Sequence, residues 1–305
     1  MHETTILQAR SGDAAFISSI RQAQFRGIVH SVFDKAVNLQ CAASADLYTL
    51  MADGMDDGPN TLVVEVPGFQ AIGVMVGDDA VAVDGALSIR GKVTVALTHA
   101  AEWRMTAPVR TCGSDALRVR LTAARAHIER YGTRGGMIPA QSGPAISGVT
   151  SEMLRHAGDQ LLDAVKRQDL AAALTHAGQL IGLGPGLTPS GDDFLVGLLA
   201  ALNATEPLAP AIQGFCAGVV PMSKANTNAI SHAAIKMAAQ GRVRDSVARL
   251  ASELLGKHQG QFRPALDDVL RIGSSSGTDI AWGLVCGLEA ALTTGEHHHG
   301  SQDRH

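Results

Sequence analysis

The stretch GLGPGLTPSGDDFLVGLLAAL, residues 182–202, sets a loop rich in Gly and Pro directly against an apolar helix. The loop carries Gly182, Gly184, Gly186, Pro185 and Pro189, and two adjacent carboxylates, Asp192 and Asp193, stand at the mouth of the helix. Gly and Pro punctuate the chain and exclude a continuous helix or strand before Ser190. From Phe194 onward the residues are apolar around the whole turn, which marks a helix buried on all sides.

Working outward, apolar residues recur at helical spacing throughout the chain after about residue 150. They do so in SEMLRHAGDQLLDAVKR (151–167), DLAAALTHAGQLIG (169–182), PAIQGFCAGVV (210–220), KANTNAISHAAIKMAAQ (224–240), RDSVARLASELLG (244–256), PALDDVLRI (264–272) and TDIAWGLVCGLEAAL (278–292). The N-terminal third reads differently. NTLVVEV (60–66), AIGVMVG (71–77), AVAVDGALSI (80–89) and KVTVALTHA (92–100) are β-branched runs broken by Gly, Asp and Pro, the pattern of a small sheet or barrel. A helix is expected over 114–130 with Ser114 as N-cap. The fold class is therefore α+β, a β-rich N-terminal domain followed by an all-helical C-terminal domain. The expected boundaries are 1–131 for the β-rich domain and its closing helix, 132–150 for a Gly/Pro-rich linker or a loop over a site, 151–294 for the helical domain, and 295–305 for a disordered tail.

Composition narrows the function. The 305 residues are 46% hydrophobic, 18% charged and only 4% aromatic, with a net charge of −4. A globular domain pair fits, and no bulk attraction to nucleic acid or anionic lipid is expected. No apolar run reaches the roughly 18 residues of a membrane span, and no secretory h-region stands at the N-terminus. Cys41, Cys112, Cys216 and Cys286 are widely spaced, as buried thiols are in a reducing compartment. A cytoplasmic protein is expected.

The opening stretch has a second copy. Ser190, Gly191, Asp193, Gly197 and Leu198 align with Ser276, Gly277, Asp279, Gly283 and Leu284, and both copies run on into apolar helices. A Ser-Gly turn delivers each helix with its first N–H groups unpaired, an arrangement that favours an anion. One Asp in a first turn serves as a cap; a second must point elsewhere, toward a neighbouring loop, a cation or a ligand N–H. Gly197 and Gly283, mid-helix, permit close helix–helix contact. If the copies face each other, they offer N–H groups at Gly191 and Gly277 and hydroxyls at Thr188, Ser190, Ser274, Ser275 and Ser276. The acceptors are Asp192, Asp193 and Asp279. Such a pocket suits a small ligand with an anionic group and an –NH2. In SKANTNAISHAA (223–234), Thr227 and Ser231 are four apart on one helix face, with Lys224 and Asn226 near its start.

Several chemistries have no signature here. There is no GxxxxGK[ST], no GxGxxG in a βαβ setting, no GxSxG elbow and no HExxH. The metal reading left open is Mg²⁺ held by Asp192 or Asp193.

Three blocks carry a family resemblance: GLGPGLTPSGDDFLVGLL (182–199), TNAISHAAIKMAAQG (227–241) and GSSSGTDIAWGLVCG (273–287). With the strand-turn-strand segment DLYTLMADGMDDGPNTLVVE (46–65), they resemble the AllH-type family, a former domain of unknown function linked to oxamate carbamoyltransferase. The resemblance implies one subunit of a carbamoyltransferase in allantoin and purine-nitrogen catabolism. It would interconvert oxalurate plus phosphate with oxamate plus carbamoyl phosphate, alongside FdrA-type and AllG-type subunits. It implies site roles for Gly184, Gly186, Thr188, Ser190, Asp192, Asp193, Thr227, Ser231, Gly277 and Asp279, with Asn228 where some members carry a second Thr. Asp192 and Asp193 would orient the carbamoyl –NH2 or a bound Mg²⁺, Asp279 would join them as a catalytic residue, and the helix N-termini at 191 and 277 would hold phosphate. Two other readings stay open: a non-catalytic assembly or small-anion-sensing subunit, and a Mg²⁺-dependent carboxylase-like enzyme acting on a small acid.

Overall fold

The computed structural model describes residues 4–140, 145–205, 209–257 and 262–299. The chain divides into two compact units, Met1–Met105 and Thr106–His305.

The first unit is a closed barrel. Strands β1 (Thr5–Asp13), β2 (Arg26–Val32), β3 (Ala36–Cys41), β4 (Leu47–Met51), β5 (Thr61–Val64), β6 (Asp79–Val83), β7 (Ala86–Ile89) and β8 (Val93–Ala96) join in the order β5-β4-β3-β2-β6-β7-β8-β1. β1 then pairs antiparallel with β5 and closes the ring, which removes the exposed sheet edges. β9 (Ala101–Trp103) extends the far half of β1 in parallel. Helix α1 (Ala14–Arg21) follows β1 at once, with Asp13 as its N-cap accepting from Ala15 N. It lays Phe16, Ile17 and Ile20 into the barrel interior, where Phe16, Phe25 and Tyr48 stack with ring centroids 4.6–5.1 Å apart.

Three of the four expected β segments are strands; AIGVMVG (71–77) is not. It is an exposed turn, because Gly73 and Gly77 take positive φ and Met75 and Val76 face solvent. β1 to β4 are mostly beyond what the β-branched runs disclosed.

The second unit is helical: α2 (Ser114–Tyr131), α3 (Ala145–Lys166), α4 (Leu170–Leu180), α5 (Ser190–Asn203), α6 (Pro210–Asn226), α7 (Ala229–Ala239), α8 (Asp245–Leu255), α9 (Phe262–Leu270) and α10 (Ser276–His299). The unit boundary thus falls before α2, where the sequence reading placed it after residue 131. α2 belongs to the helical unit because it docks there through Arg120 and Arg125. Its N-cap is Gly113, not Ser114, whose hydroxyl instead accepts from Arg110. α10 continues to His299, into the stretch read as a disordered tail; residues 300–305 of that tail lie outside the described residues. The expected single helix over 224–240 breaks at Thr227, so Lys224 and Asn226 close α6 and Asn228 caps α7 through Ile230 N and Ser231 N. All four cysteines are free thiols, but only Cys216 and Cys286 are buried.

At the centre, α5 crosses α10. A Cβ on Gly197 would press on the Ile280 carbonyl and Leu284 N, and one on Gly283 on the Phe194 carbonyl and Leu198 N. Each contact is the image of the other under the repeat, so the two copies meet about a local pseudo-two-fold. The expectation that these glycines permit close helix contact is met.

Arg120, 6% exposed, closes the C-terminus of α8 by donating to the carbonyls of Leu254 (2.9 Å) and Gly256. A helix end leaves its last carbonyls unpaired, and a cation there also opposes the dipole. Arg120→Met is expected to lower the unfolding free energy by about 2–3 kcal/mol. Denaturant titration checks it; an unchanged midpoint would mean that the carbonyls find other donors.

Candidate functional site

The repeat places two first-turn carboxylates across the α5–α10 crossing. Each copy starts alike: Asp192 N and Asp193 N both donate to Pro189 O, and Thr278 N and Asp279 N both donate to Ser275 O. Gly191 N donates back to Leu183 O and Gly277 N to Ile272 O, both at 2.9 Å. These amides were expected to face an anion. They are spent on the turns that build the helix starts, so a phosphate at either terminus would have to displace them.

The two adjacent aspartates part ways. Asp192 points back into the protein, where Oδ1 accepts from Gly182 N at 2.8 Å and Oδ2 from Thr227 Oγ1. Both of its oxygens are therefore tied, one to the α4–α5 turn and one to the α6–α7 junction. Burial pushes its carboxyl upward in pKa, against the Thr227, Gly182 and Ser231 groups that favour the charged form. Asn228 adds a further tie, its Nδ2 donating to Leu187 O at 2.9 Å. Ser231 is buried beside Asp192, and its hydroxyl finds no hydrogen-bond partner of good geometry among the described residues.

Asp193 turns toward the other copy. Its Oδ2 accepts from Thr188 Oγ1 at 2.9 Å, and Thr188 Oγ1 lies 2.9 Å from Ser276 Oγ. Asp279 accepts from Met137 N at 2.7 Å through Oδ1, with Ser190 beside it. The arrangement is reciprocal: Ser276 of one copy serves Asp193, and Ser190 of the other serves Asp279. Burial raises Asp193 to about 7, helped by the Asp279 and Asp192 charges and opposed by Ser276 and Thr188. Burial likewise raises Asp279 to about 6, opposed by Met137 N and Ser190. Asp279 Oδ2 and Ser190 Oγ, both fully buried, have no hydrogen-bond partner of good geometry among the described residues. Such groups are costly unless something else requires them.

Two loops shape this cluster. Gly184, at φ +115°, lets the 182–189 loop lie on Ser190, where a Cβ would come 2.8 Å from Ser190 N. Gly186 turns the same loop at φ +105°. The other loop is the Gly/Pro-rich segment after α2. Of the 132–150 segment, residues 145–150 already belong to α3, and 132–140 packs on the cluster: Thr133 N donates to Thr278 Oγ1, Met137 N to Asp279, and Gly136 lies directly against Asp279 and Ser190. Half-buried Thr188 and Ser276 form the edge where the cluster meets solvent.

The residues do not fit the Mg²⁺ reading. Asp192 directs its two oxygens to Gly182 N and Thr227 Oγ1, while Asp193 turns the other way toward Thr188, so the adjacent pair does not present its oxygens to one point.

The sequence reading missed the arginine-lined cavity beside this cluster. Its volume is about 490 Å³, within the usual range for small-ligand sites. Met137, Phe194 and Trp282 wall it, with Arg125, Arg134 and Arg155 at its polar edge. Only Arg134 had any signal, a cation in a Gly-rich loop.

Residues 180–288 match the family described as oxamate carbamoyltransferase subunit AllH, and residues 8–102 match the AllH family N-terminal domain. The chain belongs to the AllH family. No solved structure matches it. The AllH N-terminal match lies within the barrel unit, and the AllH match spans both copies of the repeat. The family description makes the chain a carbamoyltransferase subunit. Among the described residues, no helix is long and apolar enough to cross a membrane.

Proposed function

We propose that this subunit contributes a carbamoyl-transfer site to a cytoplasmic complex with FdrA-type and AllG-type subunits. The complex interconverts oxalurate plus phosphate and oxamate plus carbamoyl phosphate, in the breakdown of allantoin nitrogen. One observation carries the placement of the site: two buried carboxylates, Asp193 and Asp279, lie close across a pseudo-two-fold, with Ser190 Oγ beside Asp279 Oδ2 and neither atom in a hydrogen bond of good geometry.

In the forward direction a phosphate oxygen bonds to the ureido carbon of oxalurate. The bond from that carbon to the oxamate nitrogen breaks, and the proton of hydrogen phosphate ends on that nitrogen. Such a transfer needs a base and an acid with pKa values near the working pH. Asp279, at about 6, is mostly ionised at neutral pH and accepts the phosphate proton; Asp193, at about 7, is half protonated and gives its own proton to the leaving nitrogen. Exchange with solvent then returns Asp279 to the ionised form and Asp193 to the protonated one. Thr188 and Ser276 hold Asp193 at the solvent edge, and Ser190 Oγ donates to the oxyanion that develops. Asp192, Thr227, Asn228 and Gly184 act through position, and Ser231, Ser275, Gly186, Gly191 and Gly277 shape the surrounding turns.

Oxalurate phosphorolysis by the reconstituted complex tests this. Ser190→Ala and Asp279→Asn are each expected to lower turnover by about 10²–10³. Unchanged turnover would remove the site. That result would favour the second reading, a non-catalytic assembly subunit, which the internal satisfaction of Asp192 supports in part.

A further inference from the structure

The cavity beside the Ser–Asp cluster takes its unpaired charged groups and part of its wall from three segments of the helical unit, with Phe194 of α5 and Trp282 of α10 completing it. α2 supplies Arg125 and Glu129, the following loop Arg134 and Met137, and α3 supplies Arg155 and Asp159. Its charged groups fall into two kinds. Arg125 is already neutralised: it pairs with Glu289 and lies over the Trp282 ring, 4.6 Å from the centroid. Arg134 is aimed but not neutralised, because its guanidinium donates to the backbone carbonyls of Glu129 (3.1 Å) and Pro139 (3.3 Å). Among the described residues Arg155 has no hydrogen bond or ion pair, and neither has the carboxylate of Glu129 or Asp159.

Two uncompensated guanidiniums and two uncompensated carboxylates thus surround one cavity without joining each other. All four side chains are exposed at the cavity's rim, where water solvates them and leaves them open to a ligand. Their balance also bears on the ligand. The free groups sum to zero, so a dianionic phosphate would meet two carboxylates as well as two cations. A monoanion that carries N–H donors would satisfy both kinds. The walls from Met137, Phe194 and Trp282 suit a flat, weakly polar body.

We propose that this cavity binds a small carboxylic acid bearing an amide or ureide, with its carboxylate on Arg134 and Arg155 and its N–H groups on Glu129 and Asp159. The identification of that acid as the oxamate or oxalurate partner of the reaction rests on the carbamoyl-transfer reading above. The cavity is joined to the Ser–Asp cluster by two chain segments: Met137 lines it while its N–H holds Asp279, and Phe194 lines it next in sequence to Asp193. All of the cavity's free charges come from residues 103–179, the span between the two family matches. This span is therefore where acid specificity would be set.

The test is ligand-observed NMR and calorimetric titration of the full chain with oxamate, in the presence and absence of inorganic phosphate. Saturable binding is expected, weakened at least about tenfold by Arg155→Gln and by a smaller factor by Asp159→Asn, with phosphate a poor competitor. Arg155 is exposed, so its variant keeps the fold, and an unchanged melting curve verifies this. The proposal is overturned if the folded chain binds no oxamate, if Arg155→Gln and Arg134→Gln leave binding unchanged, or if phosphate competes at equal strength. A chain that binds oxamate through Arg155 but supports no carbamoyl transfer in the complex would remove the reaction and leave this site. Transfer that depends on Asp279 without any effect of Arg155→Gln would remove this site and leave the reaction.

Discussion

Gly283→Ala is expected to cost the helical unit more than about 4 kcal/mol, or to prevent its folding. An added methyl would lie well inside contact distance of the Phe194 carbonyl oxygen and at 3.0 Å from Leu198 N. Backbone atoms cannot swing aside as a side chain can. α5 and α10 would have to separate, and Leu198, Leu284 and Ala201, all fully buried, would lose their packing. Helix propensity alone predicts the opposite sign, since Ala exceeds Gly by about 1 kcal/mol in a helix interior. The repeat makes Gly197→Ala an equivalent experiment with the same expected result. Gly218→Ala is the control, for the nearest atoms its methyl would meet belong to the movable Leu174 side chain. Denaturant unfolding of the three variants decides: a mild effect at Gly283 together with a mild effect at Gly218 would refute the tight crossing.

Asp193→Asn is expected to separate stability from turnover. The folded carboxyl sits at about 7, raised by burial first and by the neighbouring carboxylates second, against about 3.9 in an unfolded chain. Between those values the folded state keeps a proton that the unfolded state has released. Stability therefore falls as pH rises from about 4 to about 7 and stays low above it. Asp279, at about 6, acts in the same direction over a narrower window. Asn does not titrate and still accepts from Thr188. The variant should thus melt a few degrees higher than the parent at pH 8, with the gap closing toward pH 4. Carbamoyl transfer by its complex should fall by about 10²–10⁴. Parallel melting curves across this pH range would show that Asp193 is not perturbed and would take away its role as proton carrier.

The parts of the fold legible beforehand were those with a strong local period. α5 shows apolar residues all round, and the structure buries it from Ser190 to Leu202. The β-branched runs near 61–64, 79–89 and 93–96 are strands. β1 was not legible, because TILQARSGD mixes Arg10, Ser11 and Asp13 into a strand that has partners on both sides. AIGVMVG misled for the opposite reason: its residues favour a strand, but the two positive-φ glycines curl it into a turn. The boundary after residue 131 failed because α2 resembles any amphipathic helix until the targets of Arg120 and Arg125 are known.

The sequence by itself determined the α+β order, the buried central helix, the second Ser-Gly-x-Asp copy and the mid-helix glycines, each of which follows from residues close together in the chain. It also required that Asp192 and Asp193 could not both be caps. Only the tertiary structure decided which carboxylate does what. Asp192 is claimed by Gly182 and Thr227, while Asp193 meets Ser276 and Asp279 meets Met137. Only the tertiary structure turned the Gly/Pro-rich 132–140 segment into a wall of the site, and only there do Arg134 and Arg155 line one cavity. A first-turn side chain takes its direction from groups that arrive from other helices. Those contacts are set by packing between residues far apart in the chain, which no local pattern encodes.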